Sequence, residues 1–168
     1  MKDTYTFDDF KKIVEKLRSE EGCPWDREQT HASLKPCLAE EAAEVISAIN
    51  IYDATGNSEN LAEELGDVLL QVVMHAVIAE EEGIFTMDDV ISGISEKMIR
   101  RHPHVFGETQ VSDSGDVLKN WDEIKKQEKK GKEWVDRELP SAIDEVMQQL
   151  DRILEKRRKN AVKSANIP

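Results

Sequence analysis

Apolar residues recur at three- and four-residue steps along most of the chain. Phe7, Phe10, Ile13, Val14 and Leu17 form a stripe behind Thr6-Phe-Asp-Asp9, which has capping-box spacing, and they predict a first helix ending near Gly22. Cys23-Pro-Trp-Asp26 breaks that pattern, so the polar stretch to Lys35 reads as a loop or short turn. Pro36 suits an early helical position, and a second helix is expected from there to about Ile51, with apolar positions at Leu38, Ala42, Val45, Ile46 and Ile49. Asp53 to Ser58 has turn composition and Ser58 is a candidate N-cap. A third helix follows to about Glu82, carrying Leu61, Leu65, Val68, Leu69 and Val72. Thr86-Met-Asp-Asp89 opens a fourth with Val90, Ile91, Ile94 and Met98, ended by His102-Pro103. Beyond a loop at Asp113 to Gly115, a charged helix contains Trp121, Ile124 and Lys125. After Gly131 a last helix shows Ile143, Val146, Met147, Leu150, Ile153 and Leu154. Its heptad-like spacing from Leu139 to Lys159 suits packing on its own bundle or across a dimer. No strand-like alternation occurs, and the pattern predicts an all-α antiparallel helical bundle.

Within the second and third helices two nine-residue stretches, Leu38 to Ile46 and Leu61 to Leu69, repeat each other at an offset of 23. Glu41 and Glu44 take the same angles beside the apolar face as Glu64 and Asp67 do on the next helix, while Glu40 and Glu63 point further out. Each pair lies on adjacent turns, about 5 to 6 Å apart at the β-carbons. Glu44 and Asp67 also stand equally far from the intervening turn, so an antiparallel hairpin brings the two pairs face to face. Four converging carboxylates need a cation or a proton. All-oxygen ligation favours Mg²⁺, with Mn²⁺ as a substitute, over Zn²⁺. The alternative is a solvated acidic helix face.

Lys97 and Arg101 are four residues apart with Arg100 beside them, a cationic face of the kind a polyphosphate needs or, alternatively, an exposed basic helix end. Trp121 and Lys125 repeat the spacing and pair a ring that can stack on a base with another amine; ordinary packing of Trp121 is the plainer reading. His102 and His104 read as structural and His75 as a core histidine. Gly66, inside a helix between two acids, suggests close approach of substrate or a neighbouring helix. Neither a P-loop nor a Gly-x-Gly-x-x-Gly motif is present, so phosphate would be held through metal and basic side chains.

At 168 residues the chain suits one globular unit, and its formal net charge of -12 with pI near 4.8 argues against nucleic acid or an anionic membrane as partner. Two cysteines without C-x-x-C spacing fit a reduced compartment. No long apolar run or basic-then-apolar leader appears, so a cytoplasmic protein is expected.

Several segments together resemble the MazG nucleoside triphosphate pyrophosphohydrolases over most of residues 6 to 130. These are Gly22-Cys-Pro-Trp-Asp26 with Glu28-Gln-Thr30, Glu40-Glu41-x-x-Glu44, Glu63-Glu64-x-x-Asp67, the segment Glu96 to Gly107 that includes Arg100-Arg-His-Pro-His-Val-Phe-Gly107, and Trp121-x-x-x-Lys125. The resemblance implies a domain over 1–131 with a helical tail over 132–168, similar to the first unit of tandem members. It implies a helical bundle that pairs as a homodimer or higher homo-oligomer and hydrolyses nucleoside triphosphates to monophosphate and pyrophosphate with Mg²⁺. It further implies that Glu41, Glu44, Glu64 and Asp67 bind the metal, with Glu40 and Glu63 in support. Lys97, Arg101 and Lys125 would hold phosphates, Trp121 would contact the nucleoside, and Cys37 to Glu41 with Asn60 to Glu63 would line the pocket. In the expected reaction Lys97 and Arg101 stabilise the departing charge and Glu40 or Glu41 accepts a proton from water. Two other expectations stand beside this: a pyrophosphatase narrowed to dUTP or damaged nucleotides, and a nucleotide-binding regulatory helical dimer with little turnover.

Overall fold

Thr6 closes a complete capping box. Its Oγ1 accepts from the Asp9 backbone N–H at 3.2 Å while the Asp9 carboxylate accepts from the Thr6 N–H at 3.1 Å, and α1 follows over Phe7–Arg18. The structure, a computed structural model, describes residues 4–165, with side chains to Glu155. The end of the predicted tail, and the last part of its heptad-like spacing toward Lys159, lie outside the described side chains.

The segment predicted as a loop after Gly22 contains a short helix, α2 (Pro24–Glu28), with proline at its first position. Arg18 is what anchors it. Its side chain is 5% exposed, pairs with both Glu81 oxygens at 2.9 and 2.6 Å, and donates to the carbonyls of Asp26 and Gln29. One guanidinium thus ties the end of α1 to α2 and to the end of α4 (Glu59–Glu81). Gly22 allows the intervening turn to close, because a β-carbon there would lie 2.2 Å from the Leu17 carbonyl oxygen.

The second long helix, α3 (His31–Thr55), starts earlier than expected, since a reciprocal box between Thr30 and Ser33 caps it ahead of Pro36. Pro36 is therefore inside the helix, where it has no N–H for the carbonyl of Ala32. Gly56, in the left-handed region at φ 73°, ends α3. Asn57 rather than Ser58 supplies the side-chain cap of α4, its Oδ1 accepting from the Glu59 N–H at 2.9 Å. The resulting α3–α4 hairpin is the most extensively packed pair of elements.

Val14, Leu34, Val73, Met74, Val77 and Ile78 form the core of α1, α3 and α4, with Phe7, Phe10, Cys37 and Leu70 packed against it. This corrects the apolar stripes expected for the hairpin. Ile46 is 63% and Leu65 52% exposed, and Leu38, Ile49, Leu69 and Val72 also face outward, whereas α4 buries Val73, Met74, Ala76, Val77, Ile78 and Ala79. Apolar residues surround both helices, so periodicity did not single out the inward side.

Two compact units result, one made of residues up to Thr86 together with those from Glu145 onward, the other of Met87–Asp144. In the second, α5 (Met87–Arg101) packs on α6 (Pro103–Phe106), a short helix in place of the simple stop expected at Pro103, and on α7 (Ser114–Glu128). Asp113 caps α7 by accepting from the N–H groups of Gly115 and Asp116, so helix replaces the expected loop at Ser114 and Gly115. The last helix, α8 (Glu133–Ala165), contributes to both units. Within the first, Met147, Leu150, Ile153 and Leu154 border a groove of about 200 Å³ against Ala43, Glu44 and Ser47 of α3. The described residues contain no strand, and none of their helices is long and apolar enough to cross a membrane.

Candidate active site

The hairpin turn at Gly56 sets α3 and α4 in the register that the repeated acidic spacing anticipated. One ligand oxygen from each of Glu41, Glu64 and Asp67 lies within 4.8 Å of the others, and all three side chains are half-buried. Glu44, expected as a fourth member, stands one step out. It is hydrogen-bonded to Glu41 and lines the groove beside α8 together with Glu40. Asn60 Nδ2 donates to Glu64 Oε1 at 2.8 Å, one turn away on α4, and thereby orients that carboxylate. Glu63 is exposed.

Electrostatically the cluster is under-compensated. Burial, the hydrogen bond that the Glu41 carboxyl donates to Glu44 and the charges of Glu44, Asp67 and Glu40 push the Glu41 carboxyl up to about 7. A divalent cation would relieve this repulsion, and three hard oxygen donors at this spacing suit such an ion. Burial and the neighbouring charges of Glu41 and Glu40 also push the Cys37 thiol up; it packs against the core as a neutral side chain.

The predicted cationic residues belong to the other unit. Lys97 and Arg101 of α5 and Lys125 of α7 line a cavity of about 190 Å³ there. The Arg101 guanidinium lies 4.9 Å from the centre of the Trp121 ring, and the His102 ring meets Trp121 edge-on at 5.1 Å. His102 Nδ1 lies 2.6 Å from the Met98 carbonyl, which fixes a protonated Nδ1. His75, expected as a satisfied core histidine, is half-buried and stacked on His31 with 2.8 Å between their Nδ1 atoms; burial and His31 hold its pKa down.

Glu128 escaped the sequence reading. Its Oε2 receives Arg101 Nε at 3.0 Å and Nη2 at 2.6 Å, and its Oε1 receives Arg100 Nε at 2.8 Å, which together hold its carboxyl below the usual range. The spacing offered a signal: Glu128 is seven residues beyond Trp121, two turns along the same face of α7.

Residues 29–106 match the model of the MazG nucleotide pyrophosphohydrolase domain, a span that includes the acidic cluster, Lys97 and Arg101 and stops short of Trp121 and Lys125. The chain is 56% identical over 123 residues to the nucleoside triphosphate pyrophosphohydrolase/pyrophosphatase MazG of Thermotoga maritima, covering 73% of this chain and 45% of that protein. It is 41% identical over 143 residues to the nucleoside triphosphate pyrophosphohydrolase of Escherichia coli, covering 84% and 51%. A Bacillus subtilis relative named uncharacterized protein YabN is 55% identical over 125 residues, covering 74% and 25%. The chain thus spans about half or less of the length of these relatives. With the paired acids on α3 and α4 and the helical hairpin that joins them, these matches show a MazG nucleotide pyrophosphohydrolase domain over residues 29–106 of the chain.

Proposed function

We propose that this protein hydrolyses nucleoside triphosphates to nucleoside monophosphate and pyrophosphate, using Mg²⁺ held by Glu41, Glu64 and Asp67 with Glu44 completing the set. The observation that carries the reading is the half-buried three-carboxylate cluster, whose repulsion a hard divalent cation offsets. Mn²⁺ suits the same donors. The names of the relatives from Thermotoga maritima and Escherichia coli support the reaction class.

A bound cation would neutralise triphosphate charge and lower the pKa of an attacking water. The chain's own groups supply the remainder. Glu40, or Glu41 where it is not ligating, takes the water proton as the water oxygen bonds to the α-phosphorus. The bond from that phosphorus to the bridging oxygen breaks, and pyrophosphate leaves with its electron pair. Lys97 and Arg101 stabilise the charge that develops on it, and Lys125 holds phosphate. Trp121 offers the nucleoside the part of its ring that Arg101 leaves open, and Cys37 and Glu63 line the approach. The outward apolar positions Leu38, Ile46, Ile49 and Leu65 on α3 and α4 are the surface through which two copies pair in the cytoplasm.

The deciding experiment incubates the protein with each common ribo- and deoxynucleoside triphosphate, with and without Mg²⁺, and separates monophosphate plus pyrophosphate from diphosphate plus phosphate. Asp67→Ala is run in parallel. Metal-dependent pyrophosphate release that the variant loses supports the proposal. Release confined to dUTP or damaged nucleotides narrows it. Mg²⁺-dependent binding without product replaces it with a regulatory nucleotide-binding role.

A further inference from the structure

The cavity between α5 and α7 extends past the three cations that the sequence picked out. Lys129, at the end of α7, and Lys132, in the link to α8, line the same space. With Lys97, Arg101 and Lys125 they make five cationic side chains against two carboxylates, Glu128 and Asp136. Three net positive charges around about 190 Å³ reverse the sign of a chain whose formal net charge is -12.

Both carboxylates are already committed to particular cations. Glu128 is held by Arg100 and Arg101, each at 2.6 Å, and Asp136 receives Lys129 Nζ at 3.0 Å. The two internal counterions differ in burial. Glu128 is 18% exposed and fixes Arg101 over Trp121, whereas the Lys129–Asp136 pair is about half exposed on both sides and therefore exchangeable. An incoming polyphosphate can displace Asp136 from Lys129 at little cost and must leave the Arg101–Glu128 pair in place.

We infer that Lys129 and Lys132 extend the site into a diphosphate-binding subsite, taking the β- and γ-phosphates of a nucleoside triphosphate or the pyrophosphate released from it, with Asp136 as the counterion that yields. The inference rests on the hydrolase reading for its ligand and adds residues to it. A monophosphate has too little charge and length to engage the two added lysines together with Arg101.

Titration calorimetry on the full chain with Mg²⁺ tests this using pyrophosphate, a nucleoside triphosphate and the matching monophosphate as separate ligands. Lys129→Gln/Lys132→Gln is expected to weaken pyrophosphate and triphosphate binding by about tenfold and leave the monophosphate unchanged. Asp136→Asn, which frees Lys129, is expected to tighten pyrophosphate binding about two- to threefold, an opposite sign that no general loss of folding produces. Unchanged pyrophosphate affinity in the double variant, or equal weakening of all three ligands, overturns the subsite. Failure of the hydrolase reading gives a different pattern: pyrophosphate binding that depends on both lysines, in a protein that turns over no triphosphate.

Discussion

Glu41 and Glu44, one turn apart on α3, share a hydrogen bond, which two carboxyl groups form only with a proton between them. A divalent cation held by Glu41, Glu64 and Asp67 would displace that proton and so couple metal binding, proton release and stability at one point.

The pH dependence of the metal-free protein follows from that coupling. The folded-state pKa of Glu41, about 7, lies above its ordinary value of 4.5, so the folded chain binds more protons than the unfolded one between these limits. Stability from this group is complete below about pH 4.5, falls as pH rises, and levels off above about 7. Thermal unfolding with a chelator present should show that decline, and Mg²⁺ should reverse it. Mg²⁺ affinity should climb with pH by up to about tenfold per unit below 7 as one proton is displaced.

Asp67→Asn separates metal binding from folding. Removing one of three mutually repelling charges should raise the melting temperature of the metal-free protein slightly. It should weaken Mg²⁺ binding by at least the roughly 10- to 100-fold that lost supporting groups cause at metal sites. Calorimetry of both properties on one preparation checks the pair of signs.

Arg18→Met removes a nearly buried guanidinium that serves Glu81 and two backbone carbonyls at once. Because Glu81 is 45% exposed and can be rehydrated, the expected loss is about 2 to 3 kcal/mol, below that of a fully buried pair. Urea unfolding measures it. Arg18→Lys should recover little, since an ammonium cannot reproduce the two-point contact.

Ile46→Glu places a charge on the outward apolar surface of α3. Sedimentation should show a shift from dimer to monomer, with helix content unchanged because Ile46 makes no part of the core. A wild-type protein that sediments as a monomer would remove the basis for the pairing surface.

Local order was readable along the chain. The Thr6 cap, the turn near Gly56, the equal distances of Glu44 and Asp67 from that turn and the all-α class each depend on residues a few positions apart or on a period of 3.6. The unexpected start of α3 at His31 was also written locally, in the Thr30–Ser33 box, but Pro36 is the stronger punctuation mark when read alone.

Sequence alone therefore carried the six longer helices, the Thr6 cap and the matched acidic pairs on a hairpin, while α2, α6 and the Asn57 cap of α4 were not read from it. Only the tertiary structure decided which side of α3 and α4 turns inward, that Glu41, Glu64 and Asp67 converge while Glu44 binds Glu41, and that Arg18 meets Glu81 and Arg101 meets Glu128. The reason is rotational. Helices apolar on several sides can roll about their axes without violating any local rule, and the roll is set by packing against α1 and, for α4, by the ion pair of Glu81 with Arg18, 63 positions away.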